Sequence, residues 1–331
     1  MIGAGFFANF QAEAWKRIDG VELAAVADPL PGRAAAFAAE HAIPHSYTDA
    51  ASMMKSENVD FVDIVTRPES HLELTDLVAR HCPAVICQKP MAPSLAECQT
   101  MVESCARRGA RLLIHENWRW QPWYREAKRL ISQDRLGRVF HLGFRMRTGD
   151  GRGPAPYLPQ PYFREMPRLL LYETGVHFLD TFRFLGGDLQ SVFCQTNRIN
   201  SAIRGEDYAL VQVSFSNGAK GMIDANRISG PSPPEVAFGE FRIEGEHAMI
   251  RLAADGNLFL NDYGKPEILL PLKIPVEGYK GDSVKALQQH FAGCLRSGEP
   301  SESEGAEYLK TVMAVDACYR SAETAMPVNI A

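Results

Sequence analysis

The sequence predicts an α/β fold in two parts, and three observations carry the prediction. Apolar strand-like runs alternate with amphipathic segments over the first third of the chain, the rhythm of a parallel sheet with crossover helices. A glycine-rich turn, Gly3, Gly5 and Ala8 in GAGFFA, stands where a strand should pass into a helix. Stretches with period-two alternation then fill much of the second part.

In the first part VELAAVAD, VDFVDIVT, PAVICQKP and ARLLIHENW read as buried strands. GRAAAFAAEHA, HLELTDLVARH and SLAECQTMVESCARRGA between them have helical spacing and few breakers. Ser94, with Glu97 three residues on, makes a capping box for the last of these. The βαβ part therefore runs to residue 118. Only Met1 and Ile2 precede the glycine turn, so its strand is expected to be truncated, as by a start assigned too late or an upstream segment removed.

From residue 119 a helix in NWRWQPWYREAKRLISQDRLG carries Arg125, Lys128 and Arg129. VFHLGFRMR, SVFCQTNRI, YALVQVSFSNG, AKGMIDANRI, GEFRIEGEHAMIRLA and NLFLND follow as strands, and SVKALQQHFAGCLRSG and EGAEYLKTVMAVDACYRSAETA close the chain as helices. GDGRGPAPYLPQPYFREMPR is the one long Pro/Gly-rich stretch, and a long loop inside a compact domain is expected to be functional, here to cover substrate.

Composition narrows the function. At 331 residues the chain exceeds the usual size of one core, which favours two domains. A net charge of -5 with dispersed Lys and Arg argues against nucleic acid. Seven scattered cysteines with no C-x-x-C pair argue against a disulfide framework or zinc ribbon. No apolar run approaches the ~20 residues that span a bilayer, and the N-terminus lacks a secretion signal, so a cytoplasmic protein is expected.

A glycine turn of this kind lets the backbone approach a pyrophosphate at a helix N-terminus. Asp28 closes the following strand, where a carboxylate binds the adenosine ribose hydroxyls and repels a 2'-phosphate. The pair points to NAD rather than NADP, with Arg33 nearby softening that preference. In LYETGVHFLDTFRFL, Glu173, His177 and Asp180 fall at i, i+4 and i+7, one polar face on an apolar helix. A catalytic trio, a buried histidine satisfied by its neighbours, and a two-ligand metal site all fit that spacing, the last lacking a third ligand.

The order and spacing of GAGFFA, TRPESH, CQKPMAPSLAE, HENWRWQPWYR and YETGVHFLDTFRFLGGD resemble the Gfo/Idh/MocA oxidoreductases over essentially the whole chain. The resemblance implies a Rossmann NAD-binding domain over 1–118 and a substrate-binding and oligomerisation domain over 119–331 with a large, mostly antiparallel open sheet. It implies sugar or polyol substrates, including aldoses oxidised to lactones, and a homodimer or homotetramer.

Matched to the family's motifs, Lys89, Glu173 and His177 are the catalytic residues, with His177 as base, Lys89 on the reacting oxygen and Glu173 orienting His177. Gly3, Gly5, Phe6, Phe7, Asp28, Thr66, His71, Gln88, Lys89, Asn117, Trp118 and Arg119 are the cofactor-binding set, and no metal is expected. Glu116, Arg119, Tyr162 and Arg164 join Lys89, Glu173 and His177 toward substrate. Three departures stand out: Gln88 replaces a glutamate, Glu173 an aspartate and Arg67 a proline. NAD-sensing regulators and NAD-using glycosidases share the fold, and retention of Lys89, Glu173 and His177 speaks against the regulator.

Overall fold

The computed structural model describes residues 1–330. The chain forms two compact units: Met1–Asn117 with Glu277–Val312, and Trp118–Val276 with the segment from Met313 onward.

In the first unit the elements run α1 (Phe6–Lys16), β1 (Ala25–Ala27), α2 (Arg33–His41), β2 (His45–Tyr47), α3 (Ala50–Ser56), β3 (Val62–Ile64), α4 (His71–Ala79), β4 (Ala84–Gln88), α5 (Leu95–Arg108) and β5 (Arg111–His115). β1 pairs with β2, and β3 with β4 and β4 with β5, all parallel. Met1–Gly3 joins the two ladders: Ile2 bridges Ala27 on one side and Ile64 on the other, both parallel. Ile2 N–H donates to Asp63 O and Val65 N–H to Ile2 O, each at 2.8 Å. The truncated strand expected from the sequence therefore holds a central place in the sheet with its few residues. β1, β3 and β4 are buried throughout, as strands covered on both faces must be. Ser94 caps α5 by accepting from Glu97 N–H at 3.2 Å, and Gly109 in the left-handed region ends that helix.

In the second unit α6 (Pro122–Ser132), β6 (Val139–Arg147), α7 (Val176–Gly186), β7 (Leu189–Asn197), β8 (Tyr208–Phe215), β9 (Lys220–Asn226), β10 (Gly239–Gly245), β11 (Ala248–Leu252), β12 (Leu258–Asp262) and β13 (Ile268–Leu269) follow. After α8 (Ser283–Ser297) and α9 (Gly305–Thr324), β14 (Val328–Asn329) completes a nine-stranded sheet in the order β13-β12-β11-β10-β6-β9-β8-β7-β14. Every neighbouring pair for which a register is defined is antiparallel except β6 with β9. Alternate residues face inward, Leu142, Phe144 and Met146 on β6 and Val211, Val213 and Phe215 on β8. α7 packs on that face: the rings of Phe144 and Phe178 lie 4.1 Å apart, and Phe182 meets Phe215 and Phe241.

One expectation needs correction. The second domain does not run unbroken from 119 to 331, because residues 277–312 return to the first unit. Side chains fix that return: Arg17 bonds Asp282 at 2.5 and 2.7 Å, Gln288 donates to the Gln11 carbonyl, and Tyr279 packs on Phe7 and Phe10. The short β2 and α3, polar or only seven residues long, carry too little apolar periodicity to stand out in sequence. Among the described residues no helix is long and apolar enough to cross a membrane.

Candidate active site

The first unit carries the glycine turn and most of the residues expected at the cofactor. Gly3 lies at φ +99, and a Cβ there would meet Val65 O at 2.7 Å, so only glycine fits. Gly5 is the N-cap of α1 with no side-chain cap, and a Cβ built on it meets nothing within 4 Å. The uncapped N-terminus and the open space beside it suit an anionic group. At the end of β1 Asp28 is buried and accepts from Ala4 N–H and Leu30 N–H, both at 2.9 Å, while half-exposed Arg33 stands 3.9 Å away. A glycine turn at an uncapped helix N-terminus with a carboxylate at the end of the next strand fits a dinucleotide.

The loops after β3 and β4 are tied together. His71, at the start of α4 and fully buried, places Nε2 against Thr66 O and Nδ1 against Met91 O, each at 3.1 Å. Burial and these contacts make His71 a clamp between two loops, and burial lowers its pKa. Thr66 also accepts from the Ser70 hydroxyl at 2.7 Å. Gln88 closes β4 and its Oε1 accepts from Lys89 N–H at 2.7 Å, which sets the backbone from which the Lys89 side chain leaves. Asn117 donates to Ser283 Oγ at 2.8 Å. Glu116, expected on the substrate, is fully buried and accepts from Tyr308 OH at 3.1 Å; that interior partner gives it an anchoring place within the first unit.

The second unit carries Glu173, His177 and Asp180, and here local structure departs from the regular helix that their spacing predicts. Residues Leu170–Gly175 form a π-helical turn before α7 begins at Val176, so Glu173, His177 and Asp180 do not share one regular α-helical face. Glu206 anchors the turn, accepting from Leu169 N–H, Leu171 N–H and the Tyr319 hydroxyl. Glu173 accepts from the Thr174 hydroxyl at 2.6 Å and lies 3.6 Å from Arg227 Nη1. Arg227 is buried, and its other nitrogens meet Asp150 at 2.5 and 3.3 Å.

Asp180 is fully buried and gripped by Arg119, Nε to Oδ2 at 2.7 Å and Nη2 to Oδ1 at 2.5 Å. A bidentate bridge of this kind ties the turn Trp118–Trp120 to α7. His177 is buried with its ring stacked on Trp118 at 4.6 Å. Tyr162 and Arg164 sit half-buried on the turn Pro161–Glu165, Tyr162 OH accepting from Gln160 and Arg164 donating to Pro161 O.

The Pro/Gly-rich loop has a core of its own: Tyr157, Phe163, Leu169 and Ile203 are buried together, and Tyr162 and Met166 pack on them. Sequence reasoning missed Asp150, Glu206 and Arg227. Each lies far along the chain from the residues it serves, with no local pattern to mark it.

The protein is an NAD-dependent oxidoreductase acting on CH–OH groups, with a glycine turn fit for a dinucleotide and a lysine just past a strand end in the first unit and a histidine stacked on Trp118 in the second. Residues 1–116 match the oxidoreductase family with an NAD-binding Rossmann fold, and residues 124–251 match the GFO/IDH/MocA C-terminal domain. The chain belongs to the Gfo/Idh/MocA family.

It is 34% identical to a D-apiose dehydrogenase of Paraburkholderia graminis, over all of this chain and 88% of that protein. A scyllo-inositol 2-dehydrogenase (NAD(+)) of Bacillus subtilis is 25% identical over 85% of this chain and 81% of its own length. The crystal structure of an oxidoreductase from Agrobacterium radiobacter in complex with NAD+, L-tartaric acid and magnesium superposes with a TM-score of 0.91. That protein is 32% identical, and the match covers 99% of this chain and 97% of that one.

Proposed function

We propose that this enzyme oxidises a secondary or anomeric hydroxyl of a sugar or polyol, with a free aldose of the D-apiose type, taken to its lactone, as the preferred substrate. Full-length similarity to D-apiose dehydrogenases supports that choice. Gly3, Gly5 and the N-terminal turn of α1 with Phe6 and Phe7 would hold the pyrophosphate, and Asp28 the adenosine ribose. NAD supplies the hydride acceptor when bound.

The remaining work falls to side chains of this chain. His177 takes the hydroxyl proton, a ring nitrogen of the imidazole serving as general base. The Lys89 ammonium donates to the same oxygen and stabilises the negative charge that develops there. Glu173, four residues before His177 and 3.6 Å from Arg227, is the carboxylate that orients it. One observation carries the reading: His177 is clamped flat on Trp118 while Asp180 is taken up by Arg119, so the face of α7 holds a fixed imidazole with the neighbouring acid neutralised. A homodimer or homotetramer in a reducing, cytoplasmic setting completes the proposal.

The test is NADH formation across free aldoses including D-apiose, cyclic polyols and sugar acids, with NAD and NADP in parallel. Turnover on a free aldose with NAD, lost at least ~100-fold in K89A and H177A without loss of NAD affinity, is the expected result. Silence on every sugar with intact NAD binding refutes it and favours a regulator or a glycosidase.

A further inference from the structure

Gln88 is the position where the chain departs from the glutamate of the family motif, and the interior of the first unit shows what faces it. Its Oε1 accepts from Lys89 N–H at 2.7 Å. In the amide orientation that satisfies both ends, Gln11 Nε2 donates to Asp63 at 2.7 and 3.0 Å, and Gln11 Oε1 accepts from Gln88 Nε2 at 2.7 Å. Trp15 Nε1–H donates to Asp63 Oδ2 at 2.7 Å. Gln11 and Trp15 are 0% exposed, Asp63 2% and Gln88 6%, so water does not compete for these bonds.

We propose that Asp63, Gln11 and Gln88 form a buried relay of fixed polarity that positions the Lys89 backbone, and that Asp63 is what selects glutamine over glutamate at position 88. The claim rests on the role proposed above for Lys89. An amide has one donor end and one acceptor end. With a carboxylate at 63, the Gln11 NH2 must point there, so its carbonyl points to 88 and requires a donor. Glutamine supplies one and glutamate does not.

In Q88E a carboxylate oxygen faces the Gln11 carbonyl; turning Gln11 round only moves the same conflict to Asp63. Buried mismatches of this kind are expensive. In D63N alone, the amide oxygen at 63 can keep Trp15 and Gln11 but sets its own NH2 against the Gln11 NH2, and turning both glutamines relieves that only by setting an NH2 against Lys89 N–H. In D63N/Q88E the relay runs the other way and closes. The new amide at 63 donates to Gln11 and still accepts from Trp15, Gln11 donates to the carboxylate at 88, and that carboxylate accepts from Lys89 N–H.

The test is this cycle on the full chain, read as Tm and as kcat for NADH formation at temperatures where each variant is folded. It is run at a pH about one unit above the Asp63 carboxyl, which burial pushes up to about 7. Each single variant should lose about 10-fold or more in kcat, the scale of one unpaired buried group, and the double should recover most of it. Q88E within about two-fold of wild type overturns the proposal, as does a double variant no faster than D63N. The comparison of D63N with the double stands even if Q88E alone does not fold. Recovery of Tm without recovery of kcat also overturns the positioning role. K89A tests the underlying reading separately: wild-type turnover there removes the role of Lys89 whatever the cycle shows.

Discussion

Trp118 and His177 stack with ring centroids 4.6 Å apart and planes 22° from parallel. Trp118 is itself held by Phe178 and Phe238 on its edges and by an indole N–H to Tyr124 OH at 3.4 Å. The tryptophan is thus a rigid platform that leaves the imidazole little rotational freedom. W118A should destabilise the protein by about 3 kcal/mol, as truncation of a buried aromatic does, and should lower kcat because the ring loses its backing. W118F should retain most of both. Denaturant titration alongside steady-state kinetics reads the two effects, and an unchanged kcat in W118A would show that stacking does not position His177.

Arg227 stands between two carboxylates, 2.5 Å from Asp150 and 3.6 Å from Glu173. Its guanidinium also covers the rings of Tyr157 and Phe163, at 4.6 and 5.3 Å from their centroids. Removing a buried cation leaves the acids uncompensated, so R227A should cost about 3–5 kcal/mol. R227K keeps the charge without the planar fork and should fall between the two. Chemical denaturation measures this, and a loss below about 1 kcal/mol for R227A would mean that the cluster is solvated in solution.

Asp28 already accepts two backbone N–H groups, yet each carboxylate oxygen keeps a further lone pair for a ribose hydroxyl. Arg33 stands 3.9 Å from it, so under the proposed function the balance between the two side chains is expected to set the preference between NAD and NADP. D28N should narrow the ratio of kcat/KM for NAD over NADP by about 10-fold, the scale of one charge-assisted hydrogen bond. An unaltered ratio would show that Asp28 serves the turn alone.

His115, at the end of β5, is fully buried beside Phe291, with Nε2 at 3.4 Å from the Gln288 amide nitrogen. Burial pushes its pKa down from 6.5 to about 4. The folded state thus favours the neutral ring, and the unfolded chain binds the extra proton between those values. Stability from this group is whole above 6.5, declines as pH falls from 6.5 toward 4, and changes no further below. Tm measured across that range should show the decline in wild type and a shallower one in H115Q. Equal slopes would assign the acid sensitivity elsewhere.

The sequence by itself determined the two sheets, the glycine turn, the carboxylate at Asp28 and the motif residues Lys89, Glu173 and His177. Strand and helix periodicity, turn chemistry and capping all act between residues within a few positions, so they leave a local trace. The tertiary structure alone decided which groups these residues meet. Arg119 finds Asp180 across 61 positions, Trp15 finds Asp63 across 48, and Arg227 reaches Thr174 across 53. A buried polar group must find a partner wherever the fold brings one, and no local pattern names that partner. The polar Gln11, set among the buried Ala8, Ala12 and Trp15 of α1, shows its partner only once the fold brings Asp63 to it. The π-helical turn before α7 likewise depends on Glu206 and Tyr319, which hold its amides from elsewhere in the fold.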